Sequence, residues 1–207
     1  MTIKKLEKKN KYRKSVIGLD VDGIIAALHQ PWLDWYNEKW DDHLKISDIT
    51  EWYFHKLIKK ECGKQLYSWL KNPTIYENVK PIPGAIKAIK TLQKDGHEIV
   101  IITHPAGGPR TIPDKAAWFE KWIPDFPQDN IIYTLRKDLI KLDFLVDDSP
   151  INIEKYRKAW PNSQILTIAY PYNEIVKDMA DVWAYGYRNF PLAWQQIVNY
   201  IKGYTEI

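Results

Sequence analysis

Five short apolar runs punctuate an otherwise polar chain, each bounded by charged or turn-forming residues: 15–20, 98–103, 130–133, 143–147 and 164–169. Runs of this length that are apolar at nearly every position, without polar alternation, predict strands buried on both faces, as in a parallel sheet. The segments between them carry helical spacing. Ala85, Ile86, Ala88, Ile89 and Leu92 predict a helix over 84–95, with Gly96 where a C-cap glycine belongs. A second helix is expected from Asp114, as N-cap, through Trp122, with Pro124 ending it, and a third over 151–160, closed by Pro161. After Tyr170-Pro171-Tyr172 come a short helical stretch, an edge strand over 182–185 and a final helix over 191–201. Strands alternating with helices imply an α/β fold: a doubly wound, Rossmann-like parallel sheet whose carboxyl edge carries the site.

Two of the predicted strands end in paired acids. Asp20-Val21-Asp22-Gly23 follows Val16-Ile17-Gly18-Leu19, and Asp147-Asp148 follows Phe144-Leu145-Val146. Charge at the end of a buried strand is unfavourable unless compensated, and a divalent cation with a phosphate ester between the pairs would compensate it. Taken alone, Asp20 and Asp22 would also fit an Asx turn. Farther along, Thr103 ends the second strand and Lys137 precedes the strand that ends in Asp147-Asp148.

Four short motifs in this order, each on the expected element, resemble those of the haloacid dehalogenase superfamily of phosphatases. Within it the chain is most similar to the 5'(3')-deoxyribonucleotidase family. The matching stretches are Gly18-Leu19-Asp20-Val21-Asp22-Gly23, Pro81-Ile82-Pro83-Gly84-Ala85, Thr103-His104-Pro105, Lys115-Ala116-Ala117-Trp118-Phe119-Glu120-Lys121, and Lys137 ten residues before Asp147-Asp148. The likeness spans about residues 15–160 and is weakest over the segment between the first two motifs. It implies a Mg²⁺-dependent phosphomonoesterase acting on (deoxy)nucleoside monophosphates through an aspartyl-phosphate. Asp20 would be the nucleophile and Asp22 the general acid and base. Mg²⁺ would be held by Asp20, the Asp22 carbonyl and Asp148, with Asp147 sharing the metal or orienting a water on it. Thr103, the backbone after it, Lys115 and Lys137 would contact the phosphoryl group. Lys115 also reads as a solvated helix lysine. His104 stands where that family more often has a small hydroxyl residue, so its imidazole could meet substrate or face solvent. The Ala106-Gly107-Gly108-Pro109-Arg110 loop fits a plain loop, and less readily a backbone approach to the phosphate or a mobile lid.

The resemblance also places a small helical cap over residues 28–77, inserted after the first strand of a core formed by 15–27 and 78–207. That insert is dense in aromatics: Trp32, Trp35, Tyr36, Trp40, Trp52, Tyr53, Phe54, Tyr67, Trp69 and Tyr76. Most should form the core of a small subdomain. A few, with Trp32, Trp52, Tyr53 and Tyr76 as the candidates, should line a pocket where a nucleobase can stack.

The net charge of +4 is a product of the N-terminus, because residues 1–14 contribute +6 and leave the remainder at −2. This reads as a basic N-terminal tail, solvated and poorly ordered, on a near-neutral body. It makes a nucleic-acid-binding or end-processing role a less favoured alternative. A phosphatase for a sugar phosphate or another small phosphoester is the nearer one. Cys62 is the sole cysteine, so no intramolecular disulfide can form. No apolar stretch approaches the roughly 20 residues needed to span a bilayer, and no hydrophobic signal region follows the basic start. A cytoplasmic enzyme for a small-molecule nucleotide is expected, without a membrane partner, and a homodimer is left open.

Overall fold

The computed structural model of the protein describes residues 12–72 and 74–207. Six parallel strands form one sheet: β1 (Val16–Leu19), β2 (Glu98–Thr103), β3 (Ile131–Tyr133), β4 (Phe144–Val146), β5 (Gln164–Ile168) and β6 (Val182–Ala184). Their order is β3-β2-β1-β4-β5-β6, with β1 flanked in parallel by both β2 and β4. Among the described residues the α-helices are α1 (His29–Trp40), α2 (Ala85–Lys94), α3 (Ile112–Trp122), α4 (Pro150–Ala159) and α5 (Phe190–Thr205).

Alternation along the strands divides the core. Ile17, Leu19, Ile99, Ile101, Phe144 and Val146 pack with apolar residues of α2, α3 and α5, including Ile89, Phe119 and Trp194. Ile102, Leu145 and Ile165 pack with Ile153 and Tyr156 of α4 on the other face. Helices on both faces account for strands that are apolar at nearly every position. The predicted alternation of elements is present throughout, and the edge strand over 182–185 appears as β6.

Three expectations change. Helix α3 begins at Ile112 with Pro113 in its first turn, so Asp114 is not its N-cap; instead the Asp114 Oδ2 accepts from the Tyr76 backbone N–H at 2.9 Å. The expected helical cap holds a single α-helix, α1. Residues 41–77 otherwise form 3-10 turns at Ile46–Asp48, Phe54–Lys56, Gly63–Lys71 and Ile75–Glu77. The stretch carries six Trp, Tyr and Phe residues, which lose rotamer freedom in an α-helix, and three Asp, which favour local turns. Buried residues of this insert, among them Leu33, Tyr36 and Leu66, belong to the same apolar cluster as the sheet. Finally, most of the basic tail, residues 1–11, lies outside the described residues. Residues 12–14 are part of the fold: Arg13 N–H donates to the Thr205 carbonyl, and Lys14 pairs with Glu98 at 3.4 Å.

The connections from β1 and β4 leave toward opposite sides of the sheet. The strand order therefore reverses between these two neighbours, and a crevice opens beyond their carboxyl ends.

Candidate active site

Both acid pairs stand at that reversal. Leu19 and Val146 are in register, and the Asp20 N–H donates to the Val146 carbonyl at 2.9 Å, so Asp20 is brought beside Asp147. Residues 21–26 form a tight loop, with the Ile25 and Ala26 N–H groups both donating to the Val21 carbonyl at 2.8 Å. The loop is clamped from outside by Trp194 Nε1, donating to the Ile24 carbonyl, and by the Tyr170 hydroxyl, donating to that of Gly23. Gly23 is required here. Its φ is +78°, and a Cβ would come within 2.3 Å of Asp148 Oδ2.

Oxygens of Asp20, Asp147 and Asp148 lie within 4.8 Å of one another, and all three residues are buried. Lys137, in a 3-10 turn between β3 and β4, is 2.8 Å from Asp20 Oδ1 and 2.6 Å from Asp147 Oδ2. Burial alone would lower the Lys137 ammonium, but Asp147 and Asp20 outweigh it and hold it above its ordinary value. Burial pushes Asp20 up to about 6, Lys137 working against the shift and the neighbouring carboxylates with it. Asp148 is raised well above the carboxylate range by burial and by Asp20 and Asp147. One lysine does not balance three buried carboxylates. An all-oxygen donor set carrying surplus negative charge is what a hard divalent cation such as Mg²⁺ takes, so the residues present fit that ion.

Asp147 is the most tied of the three. Besides Lys137, it accepts from the Ser149 N–H at 2.8 Å and from Asn152 Nδ2 at 3.1 and 3.2 Å. Ser149 caps α4, whose N-terminal end therefore faces the acids. Asp148 accepts from the Tyr172 hydroxyl and has His29 Nε2 at 3.9 Å. Burial lowers His29 to about 4, which keeps its ring neutral near neutral pH.

Asp22 is held by two other elements. Lys115 Nζ donates to Asp22 Oδ2 at 2.9 Å, to Thr103 Oγ1 at 2.6 Å and to the His104 carbonyl at 2.7 Å. All three of its protons are thus engaged and the side chain is fully buried, which removes the solvated reading. Tyr76 is corrected. It was expected among the base contacts, but its ring is 1% exposed and its hydroxyl donates to Asp22 Oδ1 at 2.5 Å. The insert returns to the core at this turn, which carries the ring beneath the cavity wall.

Over the acids lies a cavity of about 710 Å³, lined by Asp20, Asp22 and Asp148 below and by Trp32, Trp52, Tyr53, Phe54, His55 and Tyr67 of the insert above. Trp32 is largely covered, its ring stacked on Phe54 at 5.2 Å and its Nε1 donating to the Leu66 carbonyl at 3.0 Å. Tyr53 is 49% exposed. The exposed cations Lys64, Arg136 and Lys155 also line the cavity, Arg136 paired with Asp138 at 2.7 Å. His104 contributes to the wall, and its side chain is exposed. Gly107 lines the cavity and also packs on the backbone of the insert: a Cβ there would meet the Leu70 carbonyl oxygen at 1.9 Å.

Sequence reasoning missed Tyr172, His29 and Asn152. Tyr172 follows β5 directly and so lies on the same carboxyl edge as the acids, the one signal that could have found it. The cap of α4 was readable in Asp-Asp-Ser-Pro, a capping serine followed by a helix-starting proline.

The model of the family described as 5' nucleotidase, deoxy (pyrimidine), cytosolic type C protein matches residues 14–196. The chain is 34% identical over 145 residues to a 5'(3')-deoxyribonucleotidase of Clostridium acetobutylicum, covering 70% of this chain and 78% of that one. It is 28% identical over 143 residues to a 5'(3')-deoxyribonucleotidase of Bacillus subtilis, covering 69% and 81%. Among solved structures it is similar to a haloacid dehalogenase-like hydrolase of Streptococcus pneumoniae, with a TM-score of 0.58 and 12% identity over 90% of this chain and 98% of that one. A heptose bisphosphate phosphatase of B. bronchiseptica, complexed with magnesium and phosphate, matches with a TM-score of 0.50 and 12% identity over 91% and 99%. The fold is that of the haloacid dehalogenase-like phosphatases, and the chain is a phosphoric monoester hydrolase that belongs to the 5'(3')-deoxyribonucleotidase family.

Proposed function

We propose that the protein hydrolyses deoxynucleoside and nucleoside monophosphates through a phosphorylated Asp20, with the insert 28–77 as the cap that selects the substrate. The observation that carries this reading is the meeting of Asp20, Asp148 and Lys137 at the floor of one cavity whose roof is aromatic. Nucleotidase relatives support the substrate class.

A phosphomonoester enters past Lys64, Arg136 and Lys155, whose charge draws a dianion toward the mouth. The Asp20 carboxylate attacks phosphorus in line as the bond to the leaving oxygen breaks. Asp22 gives a proton to that oxygen and later takes one from the water that releases phosphate. Lys137 stays beside Asp20 and balances negative charge on the phosphoryl group, while the Thr103 hydroxyl and the backbone N–H after it contact its oxygens, and Lys115 holds Asp22 and Thr103 in place. Asp20, Asp148 and the Asp22 carbonyl, with Asp147 alongside, would hold Mg²⁺, which when bound supplies charge neutralisation for both carboxylate and phosphate. The exposed faces of Tyr53 and Trp52 are suited to a flat base.

The test is inorganic phosphate release from a panel of nucleoside and deoxynucleoside monophosphates and sugar phosphates, with and without Mg²⁺. Nucleotides should be turned over with kcat/KM at least tenfold above the sugar phosphates. Equal or greater activity on sugar phosphates overturns the substrate class, and turnover by Asp20→Asn overturns the covalent route.

A further inference from the structure

The two oxygens of Asp22 are claimed by donors from different parts of the chain. Tyr76, in the last turn of the insert, donates to Oδ1 at 2.5 Å. Lys115 of α3 donates to Oδ2 at 2.9 Å. The same Lys115 Nζ sits 5.3 Å from the centre of the Tyr76 ring, and the Tyr76 backbone N–H is fixed by Asp114, the neighbour of Lys115. Tyr76, Asp22 and Lys115 thus form one closed unit, with the tyrosine wholly buried and the carboxylate at the cavity edge.

A carboxylate on a single-bonded stem turns freely about its last torsion, which has broad minima. An aspartate that must place a proton on a leaving oxygen gains from having that torsion fixed, because proton transfer requires heavy atoms about 2.6–3.2 Å apart. The phenol itself does not transfer the proton. Its burial and the adjacent Asp22 raise it well above its ordinary value, so it remains a donor.

We infer that Tyr76 is a positioning residue for Asp22, through which the insert orients the group that protonates the leaving oxygen. The inference rests on the role proposed above for Asp22. In the step concerned, the oxygen–phosphorus bond breaks, its electron pair stays on the leaving oxygen, and the Asp22 proton passes to that oxygen. A nucleoside leaves as a poor leaving group and needs the proton, whereas p-nitrophenolate does not. Misorientation of Asp22 therefore separates the two substrates in kcat/KM, which reports the steps up to departure of the leaving group; the later water step, in which Asp22 is the base, is common to both.

The experiment compares wild type, Tyr76→Phe, Asp22→Asn and the double variant on a deoxynucleoside monophosphate and on p-nitrophenyl phosphate, with thermal unfolding of each. Tyr76→Phe should reduce kcat/KM on the nucleotide about tenfold or more and change kcat/KM on p-nitrophenyl phosphate by less than about threefold. In the Asp22→Asn background the same change should have no further effect, the non-additivity expected of residues acting as one unit. Equal losses on both substrates, no loss, or an additive loss in the double variant overturns the inference. So does a Phe variant that fails to fold while Asp22→Asn folds, since that assigns Tyr76 to the stability of the chain. If Asp22→Asn shows no leaving-group dependence, the proposed role of Asp22 fails, and the inference with it. A normal Asp22→Asn signature with an unaffected Tyr76→Phe removes the inference alone.

Discussion

Lys137 Nζ lies 2.8 Å from Asp20 Oδ1, and the lysine is 2% exposed, so this is an ion pair largely out of water. The same ammonium binds Asp147, and no other cation lies in the cluster of Asp20, Asp147 and Asp148 among the described residues. Removing one partner of a buried pair leaves an uncompensated charge, with a penalty of about 3–5 kcal/mol. Lys137→Met should therefore lose stability on that scale in urea unfolding, and lose phosphatase activity. A stability loss near zero would show that water or relaxation already compensates the acids.

Asp148 is held well above the ordinary carboxylate value by burial and by its neighbours Asp20 and Asp147. Its neutralisation by a cation should be visible without any turnover. Wild type should gain thermal stability on addition of Mg²⁺, by about 2.7 kcal/mol at a hundredfold excess over Kd, and lose the gain with EDTA. Asp148→Asn should be at least as stable as wild type without metal, because a repelling charge is gone, and should show little or no Mg²⁺ response. An undiminished response in that variant would place the ion elsewhere.

Two glycines separate strain from propensity. At Gly23 a Cβ would collide with Asp148 Oδ2 at 2.3 Å and His29 Cε1 at 2.7 Å, on a backbone of φ +78°. Gly23→Ala should destabilise by about 1–3 kcal/mol from backbone strain alone, and should abolish activity because Asp148 must move. Gly203 lies inside α5 with open space where its Cβ would go. Gly203→Ala should stabilise by about 0.5–1 kcal/mol with kcat/KM unchanged. Chemical denaturation and phosphate release on the two variants check both signs.

These contrasts mark what the sequence could carry. Asp20, Asp22, Asp147 and Asp148 were readable because each pair ends an apolar run, and a run plus its boundary is local information. Lys137 was readable through a fixed spacing to Asp147. Tyr172 and Tyr76 were harder to assign, since their hydroxyls meet acids 24 and 54 residues away; the place of Tyr172 after β5 puts it on the right edge but does not name its partner, and nothing near Tyr76 records its contact with Asp22. The insert was legible as an aromatic-rich segment but not as a series of 3-10 turns, because its apolar positions are filled by tertiary packing against the sheet core and follow no sustained helical period.

His97 offers a pH test away from the acids. It is buried, neither ring nitrogen has a hydrogen-bond partner among the described residues, and burial lowers its pKa, Lys202 adding to the effect and Asp95 and Asp143 opposing it. With the folded value below the ordinary 6.5, the unfolded chain takes up the proton first as pH falls. The contribution of neutral His97 is complete above pH 6.5 and declines as pH drops toward the folded value. His97→Phe keeps a buried ring without the titration, so the fall in unfolding free energy between pH 7.5 and 5.5 should be smaller than in wild type. An identical fall in both would assign the acid sensitivity to other groups.

The last prediction concerns the roof of the cavity. Trp52 and Tyr53 both line it, but they are not equivalent probes. The Trp52 ring is 5.6 Å from that of Tyr172, which holds Asp148, so truncating Trp52 disturbs both recognition and the acid cluster. Tyr53 is 49% exposed and, among the described residues, has no such link; Lys56 lies over its ring at 5.5 Å and His55 at its edge. If a base stacks on Tyr53, Tyr53→Ala should lower kcat/KM for a nucleoside monophosphate by an amount equivalent to roughly 1–3 kcal/mol, the scale of one stacked base. Turnover of a phosphoester without a base should be nearly unchanged, because Asp20, Asp22, Thr103, Lys137 and Asp148 remain in place. Trp52→Ala should lower both activities, the nucleotide more. A Tyr53→Ala variant of unchanged melting temperature that loses equally on both substrates would refute stacking on that ring, and would return substrate selection to the exposed lysines of the cavity and the phosphate contacts.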